Sequence, residues 1–264
     1  MPADKNPPTD LPIVDAHAHL GYFRNFHIPD PHADGLVRSM DAYGIDVTVL
    51  SSHAAISADV VRGNDETLRA LDAFPDRLLG YCVINPNYPE VALREIERCF
   101  AHPGIRGFKF HPELHGDYPL TGKGYAAAWE FAHERSLPVL SHSYFAGDGL
   151  DSFASLARRY PRATVILGHA GIDHGIDAVQ GLVLDHPNVV LDLCGALSHA
   201  GVLEQLVERV GADRLLFGTD MPFMSGARQL GTILYSRLSD AQRRAILGGT
   251  AARLFRVGTL EEVA

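Results

Sequence analysis

Near the start of the chain, the stretch "IVDAHAHLG" at residues 13–21 sets His17 and His19 two positions apart in an otherwise apolar run. On an extended strand two such residues project to one face with Cα atoms about 6.6 Å apart, while Ala18 faces the other way. Both imidazoles can then reach one ion. The pattern recurs: Lys109 and His111 in "GFKFHP", His142 in "SHS", His169 in "LGHAG" and Asp220 in "FGTDMPF" each close a short apolar segment. A single histidine at a strand end is ordinarily a hydrogen-bonded structural residue. Imidazoles ending four segments and a carboxylate ending a fifth are a donor set for a borderline divalent cation such as Zn2+, which takes about four or five ligands and keeps one position for water in catalytic sites.

Donors so far apart in sequence need a frame that brings them to one rim. Short β-branched or apolar runs bounded by turns predict strands at 13–19, 46–52, 78–85, 104–111, 137–142, 163–169, 188–194 and 214–220. Between them, 34–44, 89–100, 124–136 and 201–211 repeat apolar residues near i, i+3, i+4 and i+7, the period of amphipathic helices. This alternation implies a parallel sheet covered by helices, and the count of eight favours closure into an α/β fold of the (β/α)8 TIM-barrel type. The alternative is an open doubly wound sheet, but no Gly-x-Gly-x-x-Gly follows the first strand. An extra C-terminal helix is expected over 239–255, capped by Ser239 or Asp240. The chain reads as a single domain, with 1–12 a flexible lead-in and 13–264 the barrel. In such barrels the chemistry gathers at the C-terminal ends of the strands, where these donors fall.

Composition narrows the class further. A net charge of −9 argues against a general grip on nucleic acid, and no apolar run reaches the roughly 18 residues that span a bilayer. The three cysteines, Cys82, Cys99 and Cys194, form no C-x-x-C, which fits free thiols in a reducing compartment. The opening "MPADKNPPTDLP" lacks the charged start and apolar run of a secretory signal. A cytoplasmic protein with a small-molecule substrate is expected, with neither nucleic acid nor membrane as partner; a homo-oligomer is left open.

Taken in order, "DAHAH", "GFKFHP", "SHS", "LGHAG" and "FGTDMPF" make the chain similar to the amidohydrolase superfamily, above all to its amidohydrolase-related branch that includes aminocarboxymuconate-semialdehyde decarboxylase. The resemblance implies that His17, His19, His142 and Asp220 ligate a divalent metal, zinc first, at one per chain. His169 would stand beside it to polarise or deprotonate a metal-bound water, with Asp220 also accepting a proton, so that His169 and Asp220 are the expected catalytic residues. In some superfamily members a carbamylated strand-four lysine bridges two metals. The simpler expectation here is one metal, with Lys109 an ammonium that neutralises carboxylates or binds an anionic substrate.

Around this centre, Lys109, His111, His53, His115 and Tyr144 are the expected substrate-binding residues. Asp15 is expected one repeat deeper as an interior hydrogen-bond partner, with Phe108 and Phe110 packing outward and Trp129 in the core. The activity expected first is a hydrolase of a small amide, ester or lactone using metal-activated water. The alternative is a metal-dependent non-oxidative decarboxylase of a small carboxylic acid, and a basic group such as Lys109 or Arg24 would favour a carboxylate-bearing substrate in either case. A TatD-type nuclease fits less well, because it normally supplies a strand-four glutamate where this chain has Lys109 or His111. A non-catalytic metal-binding barrel would have no need of His169 beside the ligands.

Overall fold

The computed structural model describes residues 11–24, 26–143, 149–197 and 199–258. Tyr144 and residues 1–10 of the expected lead-in lie outside them. Eight parallel strands follow one another around a barrel in sequence order: β1 (Val14–Leu20), β2 (Val47–Ser52), β3 (Leu78–Val83), β4 (Ile105–Phe110), β5 (Pro138–Ser141), β6 (Thr164–Leu167), β7 (Val189–Asp192) and β8 (Leu215–Leu216). Every strand expected from the sequence is present. The ring closes where β1 meets the segment just after β8: Ala16 N–H donates to Phe217 O at 2.9 Å, His19 N–H to Met221 O at 2.7 Å and Asp220 N–H to His17 O at 2.7 Å.

Helices cover the outside. Pro89–Phe100, with proline at its first position, turns Ala92, Ile96 and Cys99 inward, and Lys123–Arg135 buries Tyr125, Ala128, Trp129 and Ala132. Phe108 and Phe110 face this layer. Phe108 packs 4.9 Å from Phe100, and Phe110 packs 4.3 Å from Tyr125 and 5.5 Å from Trp129, measured between ring centroids. Burial of each such ring stabilises the fold by about 1.5–3 kcal/mol.

The barrel interior divides into two levels. At the bottom Val14, Ala16, Val49, Leu79, Tyr81, Leu140, Ile166, Val190 and Leu216 form an apolar plug closed by Phe255. Above it the inward residues turn polar. Strict alternation along β1 would put Ala16 and His17 on opposite faces. The β1–β2 register shifts between Asp15 and Ala18, however, so Val14 and Ala16 join the plug while His17 and His19 line the cavity above. Asp15 is fully buried and ties the barrel seam, accepting from Thr219 N–H at 3.0 Å and Thr219 Oγ1 at 2.5 Å.

The expected C-terminal helix forms with one irregularity. Asp240–Arg244 starts at a Ser239 capping box, five residues at 245–249 widen into a π-turn, and Thr250–Phe255 carries Phe255 to the plug. At Gly248 a Cβ would lie 1.8 Å from Pro12 O, so only glycine lets this helix pass the start of β1.

Candidate metal and active site

His17 and His19 project from β1 with the same ring nitrogen, Nδ1, anchored in each. His17 Nδ1 donates to Asp192 Oδ2 at 2.6 Å, and His19 Nδ1 lies 3.1 Å from Ser51 O and 3.2 Å from Ser51 Oγ. With both Nδ1 atoms engaged, both Nε2 atoms turn toward Asp220, whose Oδ1 lies 3.8 Å from His17 Nε2 and 3.1 Å from His19 Nε2. The donor atoms of these three residues all lie within 4.8 Å of one another, and each residue is buried. A tetrahedral ion with bonds of about 2.0–2.1 Å separates its donors by about 3.3 Å. The chain's own geometry therefore fits a divalent cation at this point.

The other donors stand close by. His142, just beyond β5, presents Nδ1 to His169 Nε2 at 3.1 Å and Nε2 to Glu113 Oε2 at 3.5 Å, and its ring stacks on His111 at 4.0 Å. The structure thus groups His142 with His111 and Glu113 at the cavity mouth, one step from the floor trio of His17, His19 and Asp220. His169 follows β6 in a turn where it, Ala170 and Gly171 take φ of 58°, 54° and 58°, and Asp220 has φ of 60°. Left-handed backbone in non-glycine residues costs about 1–3 kcal/mol each and collects at functional sites. His169 Nδ1 donates to Cys194 O at 2.9 Å, which directs Nε2 toward His142 and the cavity.

Electrostatics follow from burial and from mutual proximity. Burial pushes the Asp220 carboxyl up, but His19, His17 and His169 outweigh it and hold the group well below the usual carboxylate range. Desolvation, aided by His17, lowers His169 to about 4, so its imidazole is neutral at neutral pH. Desolvation also pulls the Lys109 ammonium down against the opposing carboxylates of Asp220 and Asp192. Lys109 is fully enclosed, with Nζ 2.8 Å from His17 Nε2.

These groups open onto a cavity of about 280 Å3, walled on one side by Phe23, Phe26 and Phe223 and rimmed by Arg24 and Glu113. Phe23 and Phe26 meet Phe223 edge-on at 5.5 and 4.7 Å, and His53 stacks between Phe23 and His19 at 4.8 and 4.5 Å. A wider cleft of about 650 Å3 on the flank, between the loop after β1 and the helix Val60–Ala73, contains none of the donors.

Of the residues singled out from sequence, His17, His19, His53, Lys109, His111, His142, His169 and Asp220 all line the cavity. His115 does not. It is buried beside Tyr125, with Nδ1 3.4 Å from the Tyr125 hydroxyl. Asp192, Glu113 and the aromatic wall were not foreseen. Asp192 carried a legible signal, since "NVVLDLC" ends β7 in a carboxylate just as its neighbours end in histidine. Phe23 and Phe26 sit on the loop after β1 and Glu113 opens a single 3-10 turn after β4, and in such segments periodicity carries no information.

Comparison with known proteins agrees with this geometry. The family model described as Amidohydrolase matches residues 14–257. The chain belongs to the amidohydrolase family. A gamma-resorcylate decarboxylase from Polaromonas sp. (strain JS666 / ATCC BAA-500) is 27% identical over 85% of this chain and 87% of that protein. Among solved structures, a dihydroxybenzoic acid decarboxylase from Polaromonas sp. JS666, with bound manganese and the inhibitor 2-nitroresorcinol, superposes with a TM-score of 0.69 at 21% identity, over 95% of this chain and 98% of that one. An amidohydrolase from Burkholderia multivorans with bound zinc gives a TM-score of 0.73 at 21% identity, over 94% and 100%. The amidohydrolase barrel is thus a shared scaffold here, and its own cavity must speak for its chemistry.

Proposed function

We propose that this amidohydrolase is a metal-dependent, non-oxidative decarboxylase of a small aromatic carboxylic acid bearing a ring hydroxyl. The observation that carries the reading is the convergence of His17, His19 and Asp220 on the floor of a cavity of about 280 Å3 walled by Phe23, Phe26 and Phe223. A flat ring fits against such a wall while its oxygen substituents face the donors. The curated relative acts, by its name, on a substrate of this kind. Hydrolysis, the activity expected first from sequence, draws on the same donors but does not account for the aromatic wall.

His17, His19 and Asp220 would hold the cation, with His142, beside Glu113, as the fourth donor. Zinc suits this nitrogen-rich set, and relatives of the fold hold zinc or manganese. When bound, the cation supplies Lewis acidity toward an oxygen-rich substrate. The phenylalanine wall orients the ring and keeps water from it, and Arg24 at the rim draws in the carboxylate. Loss of CO2 breaks a carbon–carbon bond and leaves its electron pair on the ring carbon, which must receive a proton. His169, neutral with its proton on Nδ1, offers the Nε2 lone pair to take up a proton from the substrate's ring hydroxyl and pass it to that carbon. Lys109 contributes positive charge beneath the substrate.

The test is to supply the zinc- or manganese-loaded protein with monocyclic hydroxybenzoic acids and, separately, with aryl esters, lactones and amides. CO2 release from a hydroxybenzoate, abolished in His17→Ala, is the expected result. Hydrolysis of the second panel without CO2 from the first would restore the hydrolase reading.

A further inference from the structure

One buried carboxylate ties the floor of the site to its proton-handling wall. Asp192, at the end of β7, is fully buried. Its Oδ2 accepts from His17 Nδ1 at 2.6 Å and from the His169 main-chain N–H at 3.3 Å, and its Oδ1 accepts from Cys194 N–H at 3.0 Å. The other end of His17 reports the tautomer. Lys109 Nζ lies 2.8 Å from His17 Nε2, and an ammonium there has donors only, so with the Asp192 carboxylate accepting at the opposite nitrogen it needs a lone pair on Nε2. The ring proton must then sit on Nδ1, facing Asp192. The space around Asp192 is equally committed, because a Cβ on Gly218, in the "FGTD" segment, would lie 2.1 Å from Asp192 Oδ1.

We infer that Asp192 is a positioning residue with two simultaneous tasks. It fixes His17 as the tautomer whose Nε2 lone pair can bind a cation, and it pins the left-handed turn that carries His169. No ligand, substrate or cation need touch it for either task. The physical reason for a carboxylate at this place is that it accepts at every lone pair it presents. In the isosteric amide only one end accepts fully, so an N–H2 faces a donor in either orientation: His17 Nδ1–H and His169 N–H in one, Cys194 N–H in the other. With N–H2 toward His17, the ring is relieved by moving its proton to Nε2, the atom proposed to face the ion. Outer carboxylates of this sort contribute about 10–100-fold to metal affinity in other proteins.

The inference is tested without reference to decarboxylation, so its failure and that of the proposed activity are separable. In the metal-free wild-type protein at neutral pH, 15N spectra of the imidazoles, with His17 assigned by loss of its signals in His17→Gln, should show the proton on Nδ1. A proton resident on Nε2 in the wild type overturns the proposal, and this measurement does not depend on any variant folding. Asp192→Asn should then show three changes together: the His17 proton on Nε2, zinc affinity lower by about 10–100-fold in competition with a chromophoric chelator, and at least tenfold faster amide exchange at His169. An unchanged tautomer with unchanged zinc affinity would reduce Asp192 to a packing residue.

Discussion

Lys109 Nζ and His17 Nε2 stand 2.8 Å apart at the floor of the cavity, and that same nitrogen also faces Asp220 Oδ1 at 3.8 Å. The lysine therefore shares one nitrogen with the site proposed for the metal cation. Lys109→Met separates the two roles the lysine could play. Removal of a preorganised charge near the reacting group lowers rates by about 10²–10³-fold, so kcat/KM should fall in that range. Metal content, measured by elemental analysis of protein purified without chelator, should stay near one per chain. Metal loss in parallel with activity would place Lys109 among the ligands and restore the two-metal arrangement with a carbamylated lysine.

His169→Asn should keep its metal and lose rate. The asparagine amide can still donate to the Cys194 carbonyl, which His169 Nδ1 reaches at 2.9 Å, so the turn is preserved while the proton-carrying nitrogen is gone. General acid–base groups contribute about 10²–10⁴-fold, and kcat should drop accordingly with little change in KM. Metal loss as large as in His142→Ala would make His169 a ligand.

Gly218→Ala perturbs the centre without altering any donor. Its methyl group would meet Asp192 Oδ1 at 2.1 Å and the Cβ atoms of His17 and Cys194 at 3.0 Å. Overpacking of this kind costs about 1–3 kcal/mol. Thermal unfolding should register that loss, and zinc affinity should fall with it because Asp192 is pushed from His17. A variant with normal stability and normal zinc binding would show that the floor is more compliant than its distances imply.

The stability of the fold should decline with acid through a buried histidine that does not line the cavity. Burial lowers His115 from 6.5 to about 4. Between these values the unfolded chain binds a proton at this position that the folded chain refuses, so the contribution to stability is full above about 6.5 and is lost progressively as the pH falls toward 4. The shift corresponds to about 3 kcal/mol at most. In His115→Leu the fall in urea midpoint between pH 6.5 and 4 should be shallower than in the wild type; an identical slope would remove His115 from the account.

Strand count, strand order and the inward face of β4 were legible in the sequence because each rests on a local period. Phe108 and Phe110 alternate with Lys109, and the alternation held. It failed on β1, where the register shift between Asp15 and Ala18 lets Ala16 and His17 both face inward. A bulge is set by the partner strand, and a single strand's pattern does not contain it. The floor trio of His17, His19 and Asp220 was legible as residue types at strand ends. The position of His142 beside Glu113, and the wall made by Phe23, Phe26 and Phe223, depend on how loops fold over the rim, and nothing in residue spacing encodes that.

The barrel seam has a consequence for how the protein comes into being. His17 and His19 lie on the first strand and Asp220 lies just past the last, joined across the seam by the hydrogen bond from Asp220 N–H to His17 O at 2.7 Å. A chain emerging from the ribosome holds two of these three donors from the outset and gains the third only when translation is nearly finished. An ion held as proposed would therefore gain little from the first two imidazoles alone and would act on the finished barrel as a clasp between its two ends. Split into β1–β4 and β5–β8 halves, the protein should recover tight metal binding only when the two fragments reassociate.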